Sequence, residues 1–312
     1  MPLAHTNACS RVAIVGVGQV GGAAAYALIL SGVASELLLV DVKIEMRDAQ
    51  VRDLSDVAYG IGGGTRVRAA THSEAGQCDV VVITAGSKYF LGETSIQHMH
   101  RNIGVLRSVI GSMTPFRSDA IVLVVSNPVD LLTTLVQELS GLPKFQVFGS
   151  GTFLDSVRLR GMLAEKTGVA ASSIQLSVLG VHGDAQVAAW SSATINGVPI
   201  DQFLPPEQCD HASLADECKQ ISESIFLAKG ATPFGIGSVV ASICTSILLD
   251  KGDVQPISHF QTEHGCCFSL PVVLGRKGIM RTVQLPLSSD EKAHITRSAE
   301  RLKETMERIK HH

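Results

Sequence analysis

The chain has no surplus of positive charge. Across 312 residues, 26 Lys and Arg stand against 29 Asp and Glu, for a formal charge of −3 and a pI near 6.4. That balance excludes a surface built to hold nucleic acid or an acidic membrane. It also has no long apolar run: glycine, serine or a charge interrupts every stretch before about 18 residues, so no membrane span is expected. The opening MPLAHTNACS carries neither an apolar signal core nor an Arg-rich amphipathic presequence, and a cytoplasmic location is the expectation. There is no CxxC. The seven cysteines, at 9, 78, 209, 218, 244, 266 and 267, are odd in number and irregularly spaced. They read as free thiols in a reducing compartment, with no metal site. His98 and His100 are two apart, so a helix would not place them on one face, and both are expected in solvent. His311 and His312 read as a tag remnant. Internal repeats and low-complexity segments are lacking.

Apolar residues and glycine are plentiful: 45% of the chain is hydrophobic and 29 residues are glycine, enough for one large or two ordinary domains. The most informative stretch is Arg11 to Asp41. An apolar run, Val12 to Val15, ends in Gly16-Val17-Gly18-Gln19-Val20-Gly21. A small apolar helical segment follows, then a second buried run, Leu37 to Val40, closed by Asp41. A strand, glycine turn, helix and strand in this order bind a dinucleotide. Gly16 allows the tight turn, Gly18 lets the backbone approach a pyrophosphate, and Gly21 lets the helix pack on the strand. The helix N-terminus offers unpaired N–H groups to the phosphates. Asp41, 20 positions past Gly21, can bond a ribose 2′-hydroxyl and would repel a 2′-phosphate, which favours NAD over NADP.

Strand and helix patterns keep alternating through the first half. A helical spacing covers Glu45 to Tyr59. Short strands are expected at Val67–Ala70, Asp79–Thr84 and Ala120–Val125, with a long helix reaching about Ser112. Such alternation implies a doubly wound parallel sheet, with its site beyond the carboxyl ends of the strands. Gly16, Asp41, the Thr84-Ala85-Gly86 turn and Asn127 all end strands, so they are expected at one crevice. The character changes near Gly149, giving an expected division into 1–149, a dinucleotide-binding domain, and 150–312, an α+β substrate domain. In the second half the patterns predict a helix over Phe153–Thr167, a strand over Ile174–Leu179 and a partner strand over Val187–Thr194. Asn196-Gly197 marks a tight turn. Helices near 208–228 and 234–250 follow, then strands near 255–260, 266–273 and 279–284. A helix from Ser289 to Lys310 closes the chain, capped at Ser288 or Ser289.

His182 lies between glycines at the end of an apolar strand, a placement that exposes an imidazole in a cleft where it can exchange protons near neutral pH. Its alternative is a loop histidine bonded to its own backbone. Asp155 is suited to orient the ring, and Arg158, one helical turn along, matches a carboxylate bidentately. A plain ion pair within the helix is the alternative for those two.

The assembled motifs resemble the lactate/malate dehydrogenase family, more its lactate side, over nearly the whole chain. They are GVGQVG at 16–21, LLLVD at 37–41, VVITAG at 81–86, GET at 92–94, RN at 101–102 and VVSNPVD at 124–130. GSGTFLDSVR at 149–158, GVHGD at 180–184 and KGATPFGIG at 229–237 complete the set. The resemblance implies a Rossmann domain binding NAD through Gly16, Gly18, Gln19, Val20, Gly21, Asp41, Thr84, Ala85, Gly86, Asn102, Val125 and Asn127. It implies that His182 exchanges the proton of a 2-hydroxyl or 2-oxo oxygen, that Asp155 orients it, and that Arg158 holds the substrate carboxylate. Asn127, through a cis bond to Pro128, and Thr232 would touch the substrate. The loop from Ser87 would close over the site, and the protein would be a homotetramer or homodimer acting on a small carboxylate-bearing molecule. Arg160 matches the arginine with which bacterial relatives bind a sugar bisphosphate, but Gln175 replaces their histidine, so no such activation is expected.

The loop departs from the family. Its catalytic arginine, which polarises the substrate carbonyl, falls on Ser95. Loss of one such donor costs about 10²–10³-fold in rate. Lys88 and Arg101 are the nearby cations, and neither has the arginine's position. The specificity residue falls on Tyr89, which disfavours malate, and Tyr89-Phe90-Leu91 would either face the substrate side chain with apolar bulk or form a lid that merely packs shut. Three readings follow: a dehydrogenase for a 2-oxo acid with a bulky apolar side chain, a reductase for an imine, whose carbon needs no added cation, or a catalytically silent NAD-binding protein.

Overall fold

The structure, a computed structural model, describes residues 10–87, 90, 92–204 and 210–310. Tyr89, Lys88, Leu91, Cys9, Cys209, His311 and His312 lie outside the described residues, and at Ser95 only the backbone is described.

The first half alternates as its sequence predicts. It runs β1 (Arg11–Val15), α1 (Gln19–Ser31), β2 (Glu36–Val40), α2 (Ile44–Gly60), β3 (Arg66–Ala69), α3 (His72–Ala75) and β4 (Val80–Ile83). Then come α4 (Ser95–Met113), β5 (Ile121–Val124), α5 (Val129–Ser140) and β6 (Val147–Gly149). The strands are parallel in the order β3-β2-β1-β4-β5-β6. The chain reverses its winding between β1 and β4, and the carboxyl ends of those two strands open the crevice where such sheets bind ligands. Continuous apolar runs suit strands covered on both faces, and Val80–Ile83 and Ile121–Val124 are buried throughout.

The second half adds α6 (Phe153–Thr167), then five two-residue strands: β7 (Ile174–Gln175), β8 (Val178–Leu179), β9 (Val187–Ala188), β10 (Thr194–Ile195) and β11 (Val198–Pro199). It continues with α7 (His211–Lys229), α8 (Pro233–Leu248), β12 (Asp253–Gln261), β13 (Cys266–Gly275), β14 (Gly278–Thr282) and α9 (Ser289–Lys310). Ser288 caps α9, exchanging hydrogen bonds with Glu291. Two expectations need correction. The single strand over Ile174–Leu179 is two, because β7 pairs with β10 while β8 pairs with β9 in another sheet. The partner strand over Val187–Thr194 is broken by a helical turn at Trp190–Ser192, which redirects the chain from one pairing to the other. The hairpin turn at Asn196-Gly197 is as expected, with φ of 50° and 82°.

The two halves share one continuous sheet. β12, β13 and β14 extend the parallel sheet antiparallel from β6, giving nine strands in one sheet. The junction is Gly149, paired with Ser258; a Cβ there would press on Val129 and Thr133 of α5. α8 lies across α1 in the same core, with Val239, Val240 and Ile243 against Ala24, Ala25, Leu28 and Ile29. The approach is closest at Gly237, where a Cβ would sit 2.8 Å from the Ala23 carbonyl oxygen. Each fully buried Leu or Ile there contributes about 1.5–3 kcal/mol. This packing sets the N-terminus of α8, with Thr232 as its cap, opposite the N-terminus of α1.

Candidate functional site

A cleft of about 620 Å³ opens beyond the carboxyl ends of β1, β4 and β5 and is roofed by α7 and the start of α8. Its floor at one end is the glycine turn. Gly16 has φ +94°, and a Cβ there would lie 2.5 Å from the Ala85 backbone. Gly21 abuts the Gly16 carbonyl, and the Thr84 hydroxyl donates to that same carbonyl at 2.6 Å. Gly18 differs: nothing lies within 4 Å of the Cβ it lacks. It caps α1 without a side-chain partner, so the first N–H groups of the helix face open space on the cleft. A bare glycine before an uncapped helix N-terminus is a cradle for phosphate. The residues present therefore fit a dinucleotide. Asp41 stands at the end of β2, where its carboxylate accepts from the amides of Val17 and Lys43, both at 2.9 Å. This fastens the second strand to the glycine turn. Gly18, Gln19, Val20, Gly21, Thr84 and Gly86 line the cleft, whereas Gly16, Ala85 and Asp41, expected there, are not among its lining residues.

The middle of the cleft is tied by Asn102 of α4, only 4% exposed. Its Oδ1 accepts from the Ser87 amide and hydroxyl at 2.9 and 2.7 Å, and its Nδ2 donates to the Asn127 carbonyl at 3.0 Å. His98, expected in solvent, is buried beside it with Nε2 2.7 Å from the Ser87 carbonyl. The spacing rule spoke only of His98 and His100 sharing a face; the loop after β4 packs over one of them, and His100 alone is exposed. Asn127 is joined to Pro128 by a cis peptide bond, as the resemblance implies. Val125 and Asn127 both line the cleft.

Three predicted residues converge at the other end. His182 Nδ1 lies 2.9 Å from Asp155 Oδ2, and Arg158 reaches the second oxygen of Asp155 at 3.8 Å. With Nδ1 engaged, Nε2 is the nitrogen left for a ligand in the cleft. Burial opposes a charge on His182, but the charge and hydrogen bond of Asp155, with Asp130 behind, raise its pKa above the ordinary 6.5. Burial likewise opposes a charge on Asp155, and His182 and Arg158 overcome it, holding that carboxyl below its usual range. Such a pair favours a proton on the imidazole and a negative charge behind it.

Arg101 does not enter the cleft. Its Nε donates to the Ser87 hydroxyl at 2.8 Å, a terminal nitrogen bonds Glu93 at 2.7 Å, and its guanidinium lies 3.8 Å from the centre of the Phe90 ring. Ser95 opens α4, directly after the capping box formed by Thr94 and Gln97. Thr232 lines the cleft, and so do Lys219, Ser222, Glu223 and Phe226 on one face of α7. Nothing in the sequence marks that face as functional. Its positions follow a helical spacing, but no motif distinguishes them from an exposed surface. Asp130, whose carboxylate accepts from the His182 amide, lies inside the VVSNPVD motif, and no local spacing connects it to the histidine. Among the described residues no three His, Cys, Asp or Glu side chains gather to hold a metal ion. The five described cysteines are free and buried, and burial pushes Cys78 and Cys218 up to about 11.

Comparison with known proteins covers nearly the whole chain. Residues 10–149 match the family described as lactate/malate dehydrogenase, NAD binding domain, and residues 152–312 its alpha/beta C-terminal domain. L-lactate dehydrogenase A of Rhizopus oryzae is 42% identical over 294 residues, covering 94% of this chain and 91% of that protein. L-lactate dehydrogenase of Deinococcus radiodurans is 38% identical, covering 93% and 96%. Among solved structures, a lactate dehydrogenase from a Medee basin deep-sea metagenome superposes with a TM-score of 0.91 at 29% identity, covering 97% and 99%. The minor L-lactate dehydrogenase of Enterococcus mundtii gives 0.90 at 33%, covering 96% and 98%. The glycine cradle, the paired histidine and aspartate and the matched domains lead to one conclusion: the chain belongs to the lactate/malate dehydrogenase family, as an NAD-dependent 2-hydroxyacid dehydrogenase.

Proposed function

We propose that the protein reduces the carbon next to a carboxylate, with His182 as proton donor, Asp155 as its orienting partner and Arg158 as the carboxylate anchor. The observation that carries this is the 2.9 Å His182–Asp155 contact with Arg158 one turn along the same helix, all three on the dinucleotide cleft. NADH, when bound, supplies the hydride. Arg158 places the substrate by a bidentate hold on its carboxylate. As the carbon–oxygen π pair moves to oxygen, His182 gives that oxygen its Nε2 proton, and the Asp155 carboxylate stabilises the imidazolium before transfer. Asn127 and Thr232 bound the substrate side.

The substrate is a 2-oxo acid with a side chain larger than a methyl group. Phe226 and Ile236 line the same cleft as Arg158, and each added buried methylene contributes about 0.8 kcal/mol. A second reading, an imine as acceptor, is favoured by the fate of Arg101. Glu93, Ser87 and Phe90 engage it, and Lys219, a cation that lines the cleft, donates to the Asp184 carbonyl at 3.2 Å. Among the described residues no arginine or lysine besides Arg158 thus stands ready to polarise a carbonyl, which an already cationic iminium carbon would not need. The same proposal keeps the division at 149/150, a cytoplasmic location and assembly as a homotetramer or homodimer. Exposed Tyr26 and Leu30 on α1 and Tyr59 on α2 support the assembly. Light scattering on the purified chain reads its mass directly.

The test follows NADH absorbance with pyruvate, phenylpyruvate, 4-methyl-2-oxopentanoate, oxaloacetate and a cyclic imino acid, on the wild type and Ser95→Arg. Brisk turnover of a bulky 2-oxo acid by the wild type supports the first reading. Turnover of the imino acid alone, with a gain of roughly 100-fold or more on 2-oxo acids in Ser95→Arg, supports the second. No turnover of any of them by either protein removes both.

A further inference from the structure

The reaction above leaves one buried carboxyl without a task. Asp130, the second residue of α5, is 3% exposed. Its Oδ2 accepts the backbone N–H of His182 at 2.6 Å. Its Oδ1 has no hydrogen-bond partner, and neither does the buried hydroxyl of Ser258 on β12. Ser258 is nonetheless near enough to favour the charged form of Asp130, as are the amide and ring of His182. Burial outweighs them and pushes the Asp130 carboxyl up to about 6. An ionised carboxylate with one unpaired oxygen in the interior is costly, and a proton on Oδ1 would give that oxygen something to donate.

We infer that Asp130 is a positioning residue for His182: it fixes the histidine's backbone by accepting its N–H, and its charge sets how tightly the imidazole holds its proton. The charged and titratable neighbours make the direction plain. Asp155 and Arg158 on α6 act on His182 with opposite signs, and Asp130 on α5 acts with the sign of Asp155. Asp130 itself is faced by His182, Asp155 and the buried thiols of Cys266 and Cys267 on β13. The histidine is thus gripped twice, at Nδ1 by Asp155 and at its main chain by Asp130. Ionisation of Asp130 strengthens its hold on the proton it would give to substrate.

This rests on the reading of His182 as the proton-carrying group, and the test is chosen to need no substrate. Diethyl pyrocarbonate modifies only the neutral imidazole, so its rate at His182 against pH gives the midpoint of proton loss. Peptide mass mapping of the full chain separates His182 from the other histidines. Asp130→Asn keeps an acceptor for the His182 N–H but not the charge, and it is expected to lower that midpoint by roughly half a pH unit or more. Ser258→Ala leaves the amide bond to Asp130 intact and removes a group that favours its ionisation. It is expected to shift the midpoint in the same direction by less. NADH affinity, read by fluorescence, stays within about twofold of wild type in both, since neither residue lines the glycine cradle. Unmoved midpoints in both variants overturn the inference, even if turnover falls. Should Asp130→Asn fail to fold by circular dichroism, the Ser258→Ala midpoint decides alone.

Discussion

At the scale of single residues, the site is an arrangement of charges partly withdrawn from water. His182 has its pKa raised in the folded protein, so it keeps its proton past the usual 6.5. For reduction, kcat/KM is therefore expected to be level at low pH and to fall as pH rises through the folded value, above 6.5. Oxidation of the hydroxy acid shows the mirror profile. Asp155→Asn removes the charge behind the ring and should lower the rate on the order of 10²–10⁴-fold while moving the falling limb to lower pH. Asp130 works the other way on stability. Its folded value of about 6 lies above that of an unfolded aspartate, so the native state holds the extra proton between roughly pH 4 and 6. Stability present below that window is lost as pH rises through it, by about 3 kcal/mol on the order of the shift. Asp130→Asn should thus gain stability relative to wild type between pH 4 and 7.5, read by thermal unfolding at both.

At the scale of elements, the glycine turn separates two uses of the same residue type. Gly16 needs its positive φ and has the Ala85 backbone against it, so Gly16→Ala is expected to lower Tm and NADH affinity together. Gly18 has no neighbour within the protein at its missing Cβ. Gly18→Ala should leave Tm nearly unchanged and weaken NADH binding by roughly tenfold or more, by filling the space a pyrophosphate would occupy. Calorimetry paired with fluorescence titration separates the two. The turn was legible because its chemistry is local: strand, glycines and helix follow each other within a dozen residues. The split of Ile174–Leu179 was not. Both halves are apolar and strand-like, and only their different partners, Thr194-Ile195 and Val187-Ala188, divide them.

At the scale of the whole molecule, a second polar junction holds the far side of the sheet. Asp79, at the start of β4, accepts the Arg11 amide at 2.8 Å and the guanidinium groups of Arg117 and Arg276 at 2.7 and 2.6 Å. It ties β1, the turn before β5 and the β13–β14 hairpin to one carboxylate. Burial opposes that charge, and the Arg11 amide and the two arginines hold it below its usual range. The contribution is present above the unfolded value and is lost as pH falls through the folded one. The arginines are partly exposed, which weakens the pairs; Asp79→Ala is expected to cost about 2 kcal/mol in urea unfolding at pH 7. The nine-stranded sheet explains why this matters: the hairpin belongs to the second half of the chain yet continues the sheet of the first.

The sequence by itself determined what depends on near neighbours. Apolar runs made the parallel strands, the glycine spacing made the dinucleotide turn, and Asp155 and Arg158 shared a helix face. Tertiary structure decided what depends on packing between distant segments. His182 meets Asp155 across 27 residues and Asp130 across 52. The loop at Ser87 covers His98, and α7 brings Phe226 and Glu223 over the cleft. No periodicity records such meetings, because each follows from which strands and helices lie side by side, and that is set by burial of the core as a whole.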